Sequence, residues 1–144
     1  MRAFLCLLSV VFVLGTLTVA ARQPTITAVV SVKQLHDAMI KPSSDAIFSV
    51  ALEAPKNERE WIAVRNAAVI LAESGNLLML SARGSNRGLW MKRSQSLVDA
   101  GAMALKAAKA RNAGALNKAS DRTVIVCESC HVLFRNQDRR IRLK

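Results

Sequence analysis

The chain has no tyrosine, and its aromatic complement is four phenylalanines and two tryptophans. Glycine and proline are nearly as sparse, at six and three residues. So few turn formers argue against a β protein built from many tight turns. The shortage of aromatics bears on how the charge is read. Lys and Arg number 21 against 10 Asp and Glu, a formal net charge of +11, and such an excess attracts anionic partners. Nucleic acid is a poor candidate among them. The basic residues are scattered over every segment and are not interleaved with aromatics that could stack on bases. Internal repeats, low-complexity segments and any sign of a second domain are also missing, and 144 residues fit one domain. What is abundant is Ala, Leu and Val, a composition that favours helix.

The N-terminus reads as an export signal. Arg2 precedes an uncharged apolar stretch over residues 3–21, which turns polar at Arg22-Gln23-Pro24. A positive start, an apolar middle and small residues at the end describe a secretory signal peptide, cut after Ala20 or Ala21. The sequence therefore divides into a signal peptide over 1–21 and a mature domain over 22–144. If uncut, the same stretch is just long enough to anchor the chain in a bilayer. Cys6 leaves with the signal, and the mature chain keeps only Cys127 and Cys130. In an oxidising compartment such a pair is expected to be either bridged or covalently occupied.

Four helical patterns fill the mature chain. The first opens at Ser31, with Gln34 completing a capping box, and places Val32, Leu35, His36, Met39 and Ile40 on one face. Pro42 predicts a kink or restart, after which the pattern continues over 45–52. Asn57 and Glu60 open the second helix, whose buried side is Trp61, Val64, Ala68, Leu71, Leu78 and Leu80. Gly75 within it reads as a weak point costing about 1 kcal/mol against Ala. A break over 83–88 leads to a third helix over 89–112, with Trp90, Leu97, Ala104 and Leu105 on its apolar side and Gly114 as its stop. The fourth covers 115–134. Its β-branched run over 123–126 favours a strand, but the chain offers no second strand to pair with, so helix is the expectation. Together these patterns predict an all-α, antiparallel four-helix bundle.

The last helix carries Cys127-Glu128-Ser129-Cys130-His131. Cys-x-x-Cys-His is the spacing of c-type haem attachment. The two thiols add to the haem vinyl groups, and the adjacent imidazole reaches the iron as proximal ligand. Three other chemistries compete. A redox dithiol requires a βαβ setting, which this sequence lacks. A structural zinc site, with His36 as fourth ligand, normally brings a second short-spaced pair. A plain structural disulfide between the two cysteines is the remaining alternative.

The motif continues as Cys127-x-x-Cys130-His131-x-x-Phe134-Arg135. Upstream stand Met39-Ile40-x-Pro42-x-x-Asp45-Ala46-Ile47-Phe48, then Trp61-x-x-Val64-x-x-x-Ala68, Leu71-Ala72-Glu73 and Trp90. On these residues the chain resembles the class II cytochromes c, the group of cytochrome c′ and its low-spin relatives, over roughly 30–135. Phe134 stands where that family frequently has Tyr. The resemblance implies an exported bundle with one covalent haem c, which carries single electrons and is not an enzyme. It implies thioether bonds at Cys127 and Cys130 and His131 on the iron. The low-spin relatives place a Met six residues before the proline, and here that position is His36, with Met39 three residues on. The sixth position is thus His36, Met39 or vacant, and a vacant one would suit binding of NO or CO instead. Arg135, one turn after His131, is positioned to pair with a haem propionate. The expected partners are acidic redox proteins, with homodimerisation through the first two helices left open.

Overall fold

The structure, a computed structural model, describes residues 26–80 and 87–135. The expected signal peptide, most of the break over 83–88 and the basic tail over 139–144 lie outside them. Four helical rods pack together, and no strand occurs among the described residues. The first rod is continuous but mixed. It comprises α1 (Val32–Leu35), a π-helical turn (His36–Ile40), α2 (Lys41–Phe48) and a closing 3-10 turn (Ser49–Ala51). Three long helices follow, α3 (Glu58–Leu80), α4 (Arg87–Lys109) and α5 (Ala113–Phe134). This all-helical architecture is compatible with a four-helix bundle.

The helix starts follow their sequence signals. The Ser31 hydroxyl accepts from the Gln34 N–H at 3.1 Å, while the Ser31 N–H donates to the Gln34 side chain at 2.9 Å. Asn57 Oδ1 accepts from the Glu60 N–H at 3.1 Å, and the Glu60 carboxylate accepts in return from the Lys56 N–H at 2.6 Å. Each start thereby satisfies donors that the first helical turn leaves orphaned.

Pro42 does not break the first rod. The residues before it widen into a π turn, in which the Lys41 N–H reaches back to the His36 carbonyl. A proline ring in a tight α turn collides with the carbonyl four residues earlier. The wider turn gives that ring room, and the helix runs on. It also spreads His36 and Met39 further round the axis than the single face expected for them.

The stop after α4 also differs from expectation. Gly114 lies inside the first turn of α5, and the residue in the left-handed conformation is Arg111, with φ of 49°. The Asn112 N–H bonds the Ala107 carbonyl at 3.0 Å and the Arg111 N–H bonds that of Ala108 at 3.1 Å, the two bonds of a Schellman closure. Asn112 then caps α5, accepting from the Ala115 N–H at 2.9 Å. Arg111 is held by ion pairing to Glu58, which also meets Arg65 at 2.6 Å. One carboxylate thus ties the start of α3 to the α4–α5 turn. Leu80, expected inside, is 47 % exposed, because two residues beyond buried Leu78 carry it round to the opposite face.

The centre of the molecule is a small-residue seam between α3 and α4. A Cβ on Gly75 would stand 2.6 Å from Val98 Cγ2 and 2.8 Å from the Ser94 carbonyl oxygen. One on Gly101 would stand 2.5 Å from the Ala72 nitrogen. Gly75 is therefore a contact point between two backbones, not merely a weak spot in a helix. The pairing of 72 with 101, 75 with 94–98 and 78 with 90 makes the helices antiparallel. Buried Ser74 and Thr123 avoid an unmet hydroxyl by donating to carbonyls one turn back, Ile70 at 2.7 Å and Ala119 at 2.8 Å. By length and composition α3 could cross a membrane, but its Trp61, Val64, Ala68 and Leu71 are buried in the bundle.

The seam yields a test with opposite signs at two kinds of glycine. Gly75→Ala and Gly101→Ala should each lose about 1–3 kcal/mol through overpacking. Gly114→Ala, which meets only Asn112 Oδ1 at 3.5 Å, should gain up to about 1 kcal/mol. Urea unfolding midpoints measure all three. A gain at position 75 or 101 would refute the close approach.

Candidate functional site

α5 presents Cys127, Cys130 and His131 within one turn, so the three side chains share a side of the helix. Burial of Thr123 and Val126 turns that side toward the bundle, while Val124 and Ile125 stay exposed. The β-branched run is helical, and its alternation of buried and exposed positions follows the helical period. At the far end of the motif Phe134 and Trp90 pack in a T-shape, with ring centres 5.0 Å apart and planes at 77°. Trp90 is fixed in turn by donating its Nε1–H to the Leu78 carbonyl at 2.8 Å.

The first rod delivers the second histidine. The His36 and His131 rings lie with centres 5.7 Å apart and planes tilted by 53°. His36 is partly exposed, and its Nδ1 is 3.3 Å from Asp37 Oδ1. Asp37 also pairs with Lys33, and the Lys33 ammonium first, then His36, holds its carboxyl below the ordinary range. His131 shifts in the same direction, which for an imidazole favours the neutral form. Burial, then the neighbouring His36 and Arg135, lower its pKa, which keeps its imidazole neutral and its lone pair available at neutral pH.

Met39 is partly buried and packs against the hydrophobic core. Arg135 is exposed at the end of α5, where its N–H donates to the His131 carbonyl at 3.1 Å. The structure thus brings together His36, His131, Cys127 and Cys130, places Arg135 at the rim and leaves Met39 among packing residues. Sequence reading passed over two neighbours. Asp37 could have been noticed as a carboxylate adjacent to a candidate ligand. Arg93 could not, because it comes from α4, where its Nε is buried without a hydrogen-bond partner and its charge acts on Cys130.

Cys127 and Cys130 are partly buried and unbridged. Burial raises both thiol pKa values. At Cys127 the second thiol adds to the rise, and at Cys130 Arg93 partly opposes it. A dithiol oxidoreductase needs the reverse, a thiolate stabilised at the start of a helix that follows a strand. Here Cys127 lies well inside α5. Among the described residues no three His, Cys, Asp or Glu side chains converge to hold a metal ion by themselves. That leaves the zinc alternative without its ligand set.

Comparison with protein-family models, with curated proteins and with solved structures finds no match to this chain.

Raised thiol pKa values postpone the thiolate to higher pH. In the reduced, cofactor-free protein, alkylation of Cys127 and Cys130 by iodoacetamide should be slow at pH 7. It should accelerate only above the ordinary thiol value of about 8.5. Unfolding in urea should remove the delay. Native rates at pH 7 matching those of an unstructured cysteine peptide would contradict this environment.

Proposed function

We propose that the chain is an exported, periplasmic monohaem c-type cytochrome of the class II kind that carries single electrons. The carrying observation is the juxtaposition of His36 and His131, two residues far apart in sequence that are also the only histidines present. A metal bonded at about 2 Å to one nitrogen of each ring separates the ring centres by about 6 Å. The 5.7 Å separation fits that span.

The donor set supports the same reading. Two imidazoles and two thiols are the right number for zinc, but among the described residues no three of them converge on one point, whereas a covalent haem needs only the two imidazoles on its iron. The macrocycle supplies four iron ligands of its own, and the thiols serve as attachment points. Cys127 and Cys130 would hold the group by thioether bonds, His131 would be the proximal ligand and His36 the distal one. The buried Nε–H of Arg93 and the rim guanidinium of Arg135 are donors suited to anionic groups of a cofactor. When bound, the haem supplies a reversible one-electron couple. The protein's own part would be to hold the two imidazole nitrogens, exclude water and set the surrounding charge. A net charge of +11 favours acidic redox partners, with association that weakens as salt rises.

Closure of the site by His36 disfavours gas binding, and one experiment separates these readings. Protein exported in a host with haem-attachment machinery should carry haem that survives denaturation, with a low-spin spectrum unchanged by carbon monoxide. His36→Ala should turn it high-spin and open it to carbon monoxide, whereas Met39→Leu should leave it low-spin. Wild-type protein without covalent haem would overturn the cytochrome reading. A high-spin wild type that binds carbon monoxide would replace the electron carrier with a gas-binding protein.

A further inference from the structure

Lys33, Asp37 and His36 form a chain of contacts on the outer side of the histidine pair. The Lys33 ammonium pairs with Asp37 Oδ2, and the other carboxylate oxygen stands 3.3 Å from His36 Nδ1. An ionised carboxylate can only accept hydrogen bonds, so Nδ1 must be the protonated nitrogen of His36. A neutral imidazole with Nδ1–H carries its lone pair on Nε2. We propose that Asp37 is a positioning residue that selects this tautomer, aims Nε2 of His36 toward His131 and raises its basicity as an iron ligand. The inference rests on the haem reading above.

The arrangement is the carboxylate–histidine pair that orients metal ligands generally, in which the outer partner fixes the ring and increases its donor strength. A bare electrostatic role is a different claim, and the same rod contains the means to separate the two. Lys41 and Asp45 repeat the Lys33–Asp37 pair at the same i, i+4 spacing, with a contact of 2.6 Å and similar exposure, but without an imidazole beside the carboxylate. Asp45 therefore reports what loss of a lysine-paired surface carboxylate on the same rod does without contact to an imidazole.

The test compares the holoprotein with its Asp37→Ala and Asp45→Ala variants by potentiometric titration and by spectrum with and without carbon monoxide. A carboxylate bonded to a ligand's N–H stabilises ferric iron, so Asp37→Ala should raise the reduction potential clearly more than Asp45→Ala does. It should also loosen the distal ligand, with partial carbon monoxide binding that Asp45→Ala does not show. In the ferrous wild type the His36 Nδ1–H should give a slowly exchanging proton resonance that is lost in Asp37→Ala. Equal potential shifts in the two variants, with no gain in carbon monoxide binding and a rapidly exchanging Nδ1–H, would overturn the role of Asp37 while leaving the cytochrome reading intact. Absence of covalent haem, or a His36→Ala protein that stays low-spin, would remove the ligand that Asp37 is said to position.

Discussion

Backbone contact between α3 and α4 at Gly75 and Gly101 is the constraint from which the position of the motif follows. Only helices this close allow Trp90 to reach the Leu78 carbonyl. That bond orients the indole so that its face or edge is available to α5, and Phe134 packs against it in a T-shape. Phe134 is one turn beyond Cys130 and His131. A run of packing contacts therefore leads from two missing side chains in the middle of the bundle to the orientation of an imidazole near its end. The same closeness explains why Ala and Ser dominate the seam, since larger side chains would force the backbones apart.

The opposite wall is placed by a different device. The π turn at His36–Ile40 is the local answer to Pro42, and it has a consequence for the site. Five residues in a wider turn redistribute side chains around the axis, which sends His36 toward α5 and leaves Met39 against the core. Single π turns inside α-helices recur at functional sites for this reason, because they re-aim a side chain without ending the helix. Under the cytochrome reading, the proline sets which of two possible ligands faces the iron. Under that reading the same histidine occupies the position that the resemblance assigns to a ligand.

The parts of the fold legible in the sequence were those governed by local chemistry. The Ser31–Gln34 and Asn57–Glu60 starts and the four helical periods all depend on neighbours within one turn, whereas residues 123–126 favour a strand locally and were read as helix only for want of a second strand. The parts missed depend on distant neighbours or on backbone shape. Gly75 looked like a propensity defect because its partners, Ser94 and Val98, belong to another helix. Gly114 looked like a stop because glycine usually fills the left-handed position, but Arg111 takes it with Glu58 as its counter-ion. Pro42 was read as a kink or restart, and α2 does restart with it in the first turn, but the π turn before it has no sequence marker. At the site, the motif on α5 and the two histidines were legible. That they meet was an expectation borrowed from a resemblance, and the contribution of Arg93 from α4 required the packed structure.

The charges gathered at the site pull the proposed redox couple in opposite directions. Two imidazole ligands favour ferric iron relative to a Met ligand, and a carboxylate hydrogen-bonded to one of them reinforces that preference. Asp37, however, is neutralised by Lys33 on its outer side, which limits its long-range effect to the bond it makes. Under the same proposal Arg93 and Arg135 would oppose ferric iron by simple repulsion, Arg93 from a partly buried position where solvent screens it less. Burial of a haem bound there would act with them, since the ferric state carries the extra charge that a low-dielectric surrounding penalises. A potential intermediate between those of a dry Met-ligated site and a wet bis-imidazole one follows from this opposition. It also follows that the first rod and α4 work against each other electrostatically across a site that α5 anchors.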